Sequence, residues 1–507
     1  MENGKWKMEN SNLFKFYLCL CVCMTIFFSS SVAQENPPPA SAPRSVKIPS
    51  VQEKSLPNGL KVVVVERKNV PLVTVSLLIK SGANVENDTR AGLANMTASL
   101  LLKGTKTRTA TQIAEEMEFL GGNINSGASW NASNVTVNVT SDKIEQAMAI
   151  MSDVALNPTF APKEIELYKT QTLDELNVQL KQPSTLASFV ASRYSFGEHS
   201  ALGTPETISK INQENISDFY REAFAPTNSV LIFTGDITEA KASALAQKYF
   251  GKWSNQSKGK LKTFNFTPIK ENSVVRRILV VDLPNSGQAA VTYAKKLGNV
   301  GRTREDYFFP ASVVNSVLGG GYSARLNQEI RIKQGLSYGA SSGFTWRPMN
   351  TNFLARAQTK NVSAAKVAEL MMAEIAKITT DSVLQGELKP RKAVLNGSFQ
   401  RSLETTGGLA AQISELYLYG LKPDELNSYM QKVENVSDNQ VKDFAFENIK
   451  GGDIIIVGDA KVFMDDLQKR FPNQKVEVIS VNDLDLNRDD LRKTQKTVPN
   501  SQTRMKS

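Results

Sequence analysis

The amino-acid sequence predicts an α+β protein made of two similar halves, each a mixed, mainly antiparallel sheet covered on one face by helices. A strand, a Gly-Asp turn and a helix follow one another in residues 228–253 and again in residues 453–472. The two turns, at Gly235 and Gly458, lie 223 residues apart, which indicates a duplication. In each half, strand-like and then helical sequence precedes this unit, which is the order of an α+β sandwich.

The individual elements are recognised by their residue types. Runs of Val, Leu and Ile predict strands at residues 59–66, 72–80 and 274–282. Amphipathic patterns predict helices at residues 111–120 and 362–378. A mature chain of about 470 residues is longer than one hydrophobic core normally serves, so two or more domains are expected.

Composition sets the expected domain boundaries. A Ser-, Lys- and Asn-rich linker at residues 254–272 would join an N-terminal domain, residues 46–253, to a C-terminal domain, residues 273–480. A Pro-rich linker, residues 34–45, would precede the first domain, and the polar residues 481–507 are expected to be a disordered tail.

The N-terminus predicts export. An apolar run at residues 13–30 follows Lys5 and Lys7 and precedes the small residues 31–33, as in a cleaved signal peptide covering residues 1–33. A retained membrane anchor is the alternative, although the run is short for a bilayer. We expect the periplasm or cell envelope of a bacterium, with no permanent membrane span after the leader is removed.

Cysteine content and charge exclude several classes of protein. Cys19, Cys21 and Cys23 would all leave with the leader, so the mature chain has no disulfide and depends on buried apolar area. The formal charge of +10 is spread along the chain without a cluster of Lys and Arg among aromatics. Nucleic acid is therefore not an expected partner.

One helical segment carries a family resemblance. Residues 91–105, AGLANMTASLLLKGT, resemble the pitrilysin/insulinase metallopeptidases, whose helix here reads Gly-Leu-Ala-His-x-x-Glu-His and ends near Lys-Gly-Thr. That helix places two zinc-binding histidines at i and i+4, with a general-base glutamate between them. In this chain Asn95 and Ser99 occupy the histidine positions and Ala98 the glutamate position. The resemblance therefore implies a member without the catalytic motif.

The resemblance continues through the first half. Glu175 stands at the spacing of the family's third zinc ligand, although a glutamate on a helix is more often a solvated surface charge. Residues 121–125 are similar to a strand of the family, and the resemblance implies Asn125 as a candidate contact to substrate. The sole histidine, His199, lies in a segment that in the family is away from the metal, so a structural role is expected.

Residue counts independently exclude the family's metal site. Protein zinc sites draw their ligands from His, Cys and carboxylates, and the mature chain has one His and no Cys. A two-histidine site within one chain is therefore impossible. The sequence predicts no metal site and no cofactor, with zinc only in a presumed partner subunit.

The second half holds the most specific match. Residues 319–339 are similar to the family's Gly-rich turn, helix and strand, and they carry Arg331 and Tyr338. The resemblance implies that this pair faces a zinc site across a chamber, where the arginine holds a substrate carbonyl and the phenol donates to the oxyanion. The alternative is a surface helix charge and a half-buried strand aromatic.

The family implies an architecture and a partner. The fold would be that of the LuxS and mitochondrial processing peptidase type, with two halves enclosing a chamber for unfolded peptides. In the branch that resembles the mitochondrial processing peptidase, the working unit is a dimer in which one subunit supplies zinc and the other the Arg/Tyr pair. A zinc-containing peptidase paralogue is thus the expected heterodimer partner.

Three functions from different classes follow. The first is a catalytically inactive subunit that binds unfolded peptide and completes an active paralogue's chamber. The second is a stand-alone peptide-binding or scaffold protein of the cell envelope. The third is a hydrolase using residues outside the family motif; it has the least support, because there is no Gly-x-Ser-x-Gly elbow, no nucleophilic cysteine and one histidine.

Overall fold

Two six-stranded sheets organise the chain. The computed structural model describes residues 48–254, 275–381, 383 and 385–494. The predicted leader, the Pro-rich linker, nearly all of the linker between the halves and the last residues of the tail lie outside the described residues. None of the described helices is long and apolar enough to cross a membrane.

Each half contributes six strands, and five of the six follow the same topology in both halves. They are β1 (Val51–Ser55), β2 (Lys61–Glu66), β3 (Leu72–Ile79), β4 (Asn123–Ala128), β5 (Ser133–Thr140) and β6 (Ser229–Gly235), then β7 (Val275–Asp282), β8 (Ala289–Gly298), β9 (Ser337–Trp346), β10 (Asn350–Thr359), β11 (Gly452–Gly458) and β12 (Val476–Ser480). The sheet orders are β1-β2-β6-β3-β5-β4 and β12-β7-β11-β8-β10-β9. Only the β2–β6, β7–β11 and β7–β12 pairs are parallel, so the predicted mixed, mainly antiparallel sheets are confirmed.

Helices fill the connections between strands. In the first half they are α1 (Leu93–Leu100), α2 (Ala110–Phe119), α3 (Ile144–Leu156), α4 (Pro162–Gln179), α5 (Pro183–Val190), α6 (Pro205–Lys210), α7 (Gln213–Ala223) and α8 (Glu239–Phe250). In the second half they are α9 (Glu305–Leu318), α10 (Arg325–Asn327), α11 (Ala364–Thr380), α12 (Gln385–Ser402), α13 (Thr406–Tyr419), α14 (Glu425–Glu434), α15 (Asp438–Asn448) and α16 (Ala460–Arg470). A π-helical segment, Gln328–Lys333, continues α10.

The repeated Gly-Asp turns have a steric cause. Gly235 has a φ of +121°, and a Cβ atom there would lie 2.1 Å from the Leu72 carbonyl oxygen. At Gly458 the same atom would lie 2.6 Å from Asn361 Oδ1 and 2.8 Å from Ala289 Cβ. Both strands pass so close to a neighbouring segment that no side chain fits, which explains why glycine recurs at these two positions.

One helix of each half also packs against the sheet of the other half. On β2, Val62 and Val64 pack into the first half's own core, whereas Val63 and Val65 point the other way. That second face is covered by α13 of the second half, through Leu409, Ile413 and Leu416 among others. Conversely α5 of the first half covers β8 and β11 of the second sheet. The sequences of these strands are therefore continuous apolar runs, because the strands are buried on both faces.

A buried charge cluster joins the halves beside α5. Asp453 is 1% exposed and accepts hydrogen bonds from Arg276, Arg277 and the Ser195 hydroxyl, at 2.7–3.0 Å. The Arg277 guanidinium also stacks 3.8 Å from the centre of the Tyr194 ring. Burial alone would raise the pKa of Asp453, but the two arginines hold it below its usual value.

The expectation of a disordered tail from residue 481 does not hold for residues 481–494. Leu484 and Leu491 are buried against the second sheet and α5, in the same cluster as Ile479. The Asp489 carboxylate lies 2.9 Å from the guanidinium of Arg193. The ordered chain therefore extends beyond residue 480, because two leucines in this polar segment bury apolar surface.

Candidate functional site

The helix that resembles the family's zinc helix keeps a defined position. Gly92 is the N-cap of α1 and has a left-handed backbone conformation, with a φ of +92°. The buried carboxylate of Glu86 accepts hydrogen bonds from the backbone N–H groups of Gly92 and Ala94. Burial raises the pKa of Glu86 to about 8, against the effect of those two hydrogen bonds. Helix α1 also packs against β4 and α7. The scaffold of the motif is therefore intact.

The side chains that α1 presents do not fit zinc. Asn95 and Ser99 are half-buried and lie on one face at i and i+4, and Ala98 is fully buried. The carbonyl oxygen of Ala98 accepts a hydrogen bond of 2.7 Å from the Ser126 hydroxyl of β4. An amide, a hydroxyl and a methyl group replace two imidazoles and a carboxylate, so this helix offers neither the usual zinc ligands nor a general base.

Glu175 lies on α4, which packs against α1. Its side chain is exposed, and one carboxylate oxygen accepts a hydrogen bond of 2.6 Å from Gln179. Within the described residues, no three His, Cys, Asp or Glu side chains come together as a metal site. We therefore derive no metal-dependent step for this chain.

The single histidine of the chain, His199, packs near the N-terminal end of α1. His199 is 8% exposed, its Nδ1 atom lies 3.8 Å from a Glu86 carboxylate oxygen, and its ring lies 4.9 Å from that of Trp130. Burial lowers the pKa of His199, which favours the neutral imidazole. These contacts are those of a structural histidine.

The strand beside α1 has an open edge. Within the described part of the chain, β4 pairs only with β5, so its outer edge leaves backbone N–H and C=O groups unpaired. Asn125 lies on this strand with an exposed side chain, which donates a hydrogen bond of 3.1 Å to Asn123. An extended peptide can add to such an edge by backbone hydrogen bonds.

The two candidate residues of the second half have different surroundings. Arg331 is half-buried in the π-helical segment, with its guanidinium carbon 5.0 Å from the centre of the Tyr322 ring. Tyr338 is 90% exposed and lies where the register between β9 and β10 shifts. The Ser337 hydroxyl donates at 2.7 Å to the Gln358 carbonyl oxygen at this bulge. Arg331 also lines a cavity.

That cavity, of about 610 Å³, lies on the face of the second sheet that α5 covers. Ser184 and Ser188 of α5 line one side, Arg331 and Tyr322 another, and Arg356 of β10 projects from the sheet. We call it the α5 cavity. Sequence reasoning missed Arg356, because an arginine in an alternating strand is typical of a solvent-facing position.

Two family models match this chain. Residues 61–198 match the family described as insulinase (peptidase family M16), and residues 210–395 match the peptidase M16 inactive domain. An uncharacterized zinc protease of Bacillus subtilis, YmxG, is 24% identical over 76% of this chain and 93% of its own length.

Two solved structures are similar along their whole length. A peptidase M16 inactive domain from Pseudomonas fluorescens has a TM-score of 0.73 and 26% identity, covering 80% of this chain and 98% of its own. A protease from Helicobacter pylori has a TM-score of 0.75 at 20% identity, covering 81% of this chain and 100% of its own, and shows the fold alone.

Proposed function

Because the chain belongs to the insulinase (peptidase M16) family yet presents Asn95, Ala98 and Ser99 on the helix of its first half, we propose that it is a zinc-less, non-catalytic subunit. It binds unfolded peptide and completes the chamber of a zinc-containing paralogue. The observation that carries the proposal is an intact α1 scaffold whose side chains lack the chemistry of zinc hydrolysis.

The second half supports the pairing with a partner. Arg331 and Tyr338 remain at the family spacing, and neither has a metal-bound substrate to act on within this chain. The Tyr338 hydroxyl is exposed rather than packed, as a group that serves a second subunit must be. The open edge of β4 supports peptide binding, since it can hold an extended segment.

Export is part of the same proposal and rests on the sequence of residues 1–33. We propose that the mature chain acts in the periplasm or cell envelope. Cytoplasmic proteases do not reach unfolded peptides there. Cleavage of the leader is tested by N-terminal sequencing of the protein isolated from its source.

The test is reconstitution with a zinc-containing paralogue from the same source. The purified chain alone should contain no stoichiometric zinc and cleave no unstructured peptide. The mixture should form a heterodimer that turns over peptide faster than the paralogue alone. Tyr338→Phe should lower that turnover on the order of a hundredfold, because one oxyanion donor contributes about 3 kcal/mol.

A matched control removes a hydroxyl elsewhere. Tyr249 lies on α8, where its ring contacts the Lys248 ammonium group and packs against the first half's core. Tyr249→Phe should leave the turnover of the heterodimer unchanged. Zinc bound stoichiometrically by the chain alone, or equal turnover with Tyr338→Phe and the wild type, would refute the proposal.

One observation favours a second candidate, a stand-alone peptide-binding protein. The α5 cavity is lined by both halves of the same chain, Ser184 and Ser188 from the first and Arg331 from the second, so it is complete without a second subunit. Peptide binding by the chain alone, together with no effect on any paralogue's turnover, would support this candidate over the first.

A further inference from the structure

We propose that the α5 cavity binds a carboxylate of the peptide, held between the guanidinium groups of Arg331 and Arg356. The carboxylate is either an acidic side chain or the peptide's C-terminus, since both present the same group. This inference rests on the proposed peptide binding and adds a preference for peptides that present such a carboxylate.

The sheet geometry places Arg356 in the cavity. Along β10, Ala355 and Ala357 pack into the second half's core, so Arg356 between them projects from the opposite face, toward α5. In the pairing register, Thr292 of β8 and Ser341 of β9 lie on either side of Arg356. The arginine therefore stands in a row of hydroxyl-bearing residues that all line the cavity.

The charges of the cavity are unbalanced. Within the described part of the chain, neither Arg331 nor Arg356 forms an ion pair, and the residues that line the cavity include no aspartate or glutamate. By contrast, the buried Arg302 is paired with Glu415 and Glu425. Two like charges that share a cavity repel each other, and a bound carboxylate turns this repulsion into attraction.

The guanidinium groups suit a carboxylate in geometry as well as in charge. Each presents a planar fork of N–H donors that can bind both oxygens of one carboxylate. The Tyr322 ring lies against the guanidinium of Arg331 and restricts its orientation. A restricted donor loses less entropy on binding, which favours a defined site over a diffuse positive surface.

The cavity has room for the peptide that carries the carboxylate. Gly321 and Gly339 both line it, and a Cβ atom added at either position would have nothing within 4 Å. The volume of about 610 Å³ exceeds that of a single side chain. Backbone can therefore approach β9 closely at these glycines while the carboxylate reaches the arginines.

The test compares peptides that differ only in charge. Four fluorescent peptides of one otherwise neutral sequence would carry a central Glu or Gln, combined with a free or an amidated C-terminus. Fluorescence anisotropy with the full chain should give at least about tenfold tighter binding for one carboxylate-bearing peptide over its neutral counterpart, the range expected for charged hydrogen bonds. The Glu/Gln pair and the acid/amide pair identify which carboxylate is bound.

The variants assign the preference to the cavity. Arg356→Gln should abolish the preference for the carboxylate-bearing peptide, and Arg356→Lys should retain part of it. Arg331→Gln removes the second guanidinium of the cavity and should also abolish the preference. Arg90→Gln is the matched control, because Arg90 is an exposed arginine of the first half without an ion pair in the described residues. It should leave the preference intact.

The outcomes separate this inference from the proposed function. Equal affinity for charged and neutral peptides, or a preference that survives in Arg356→Gln, would overturn the carboxylate site and leave peptide binding standing. Failure to bind any of the four peptides would instead overturn peptide binding itself, and the carboxylate site with it.

Discussion

Replacing Ile413 with alanine tests whether α13 of the second half stabilises the sheet of the first. Ile413 is fully buried and packs against the face of the first sheet formed by Val63, Val65 and Ile232. The substitution removes three carbons, worth about 0.8 kcal/mol each in transfer energy, and leaves a cavity. We expect the free energy of unfolding to fall by about 2–5 kcal/mol.

The assay follows each half separately in urea. A variant that keeps only Trp253 reports on the first core, and one that keeps only Trp346 reports on the second. Ile413→Ala should lower the unfolding midpoint seen by Trp253 as much as that seen by Trp346, although residue 413 belongs to the second half.

The matched control is Ile375→Ala in α11. Ile375 is also fully buried, but it contacts only the second half's core. The control measures how much destabilisation reaches the Trp253 reporter without a direct contact. Ile413→Ala could instead lower the unfolding midpoint reported by Trp346 and leave the midpoint reported by Trp253 unchanged. That result would refute the reasoning that α13 stabilises the first sheet.

Three further predictions concern charge, metal and the exposed phenol. Asp453→Asn should cost about 3–5 kcal/mol at pH 7. Since the pKa of Asp453 is lowered in the fold, the charge-dependent part of this contribution is fully present above the ordinary carboxyl pKa of about 4 and is lost as the pH falls from there through the lower pKa of the folded state. The difference in unfolding free energy between the two proteins, measured by urea titration, should therefore shrink below pH ~4, and a constant difference would contradict the assignment. Asn95→His with Ser99→His should bind zinc at least about tenfold more tightly than the same protein with Glu175→Gln, measured by competition with a chelator; equal affinity would show that Glu175 is not at the third-ligand position. Tyr338→Phe should change the free energy of unfolding by less than about 0.5 kcal/mol, because the side chain is 90% exposed, and early melting would make it a packing residue.

The repeat and the sheets could be predicted because their signals are local. The Gly-Asp turns at residues 235 and 458 reflect a steric requirement within a few residues, and the apolar runs of β2 and β11 reflect burial. The exchange of α5 and α13 could not be predicted in this way. Each helix shows an apolar face, but no local pattern tells which sheet that face will cover.

The candidate site was predictable in identity more than in geometry. Asn95, Ala98 and Ser99 lie on α1 as the spacing requires. The orientation of Tyr338 depends on a bulge that breaks the alternation of β9, and the sequence around it carries no distinct signal for that shift. The sequence predicts disorder at Leu484 and Leu491, which the structure buries, because two leucines in a polar segment form no periodic pattern.

The dependence of the first sheet on α13 also sets the order of events during synthesis. Strand β6 ends at Gly235, and α13 begins at Thr406, 171 residues later. At roughly 5–20 residues per second, the ribosome needs roughly 10–35 s to make that stretch. Throughout this interval the apolar face of the nascent first sheet has no cover of its own. The first sheet is therefore covered on both faces only after the helix that begins at Thr406 has been added to the chain.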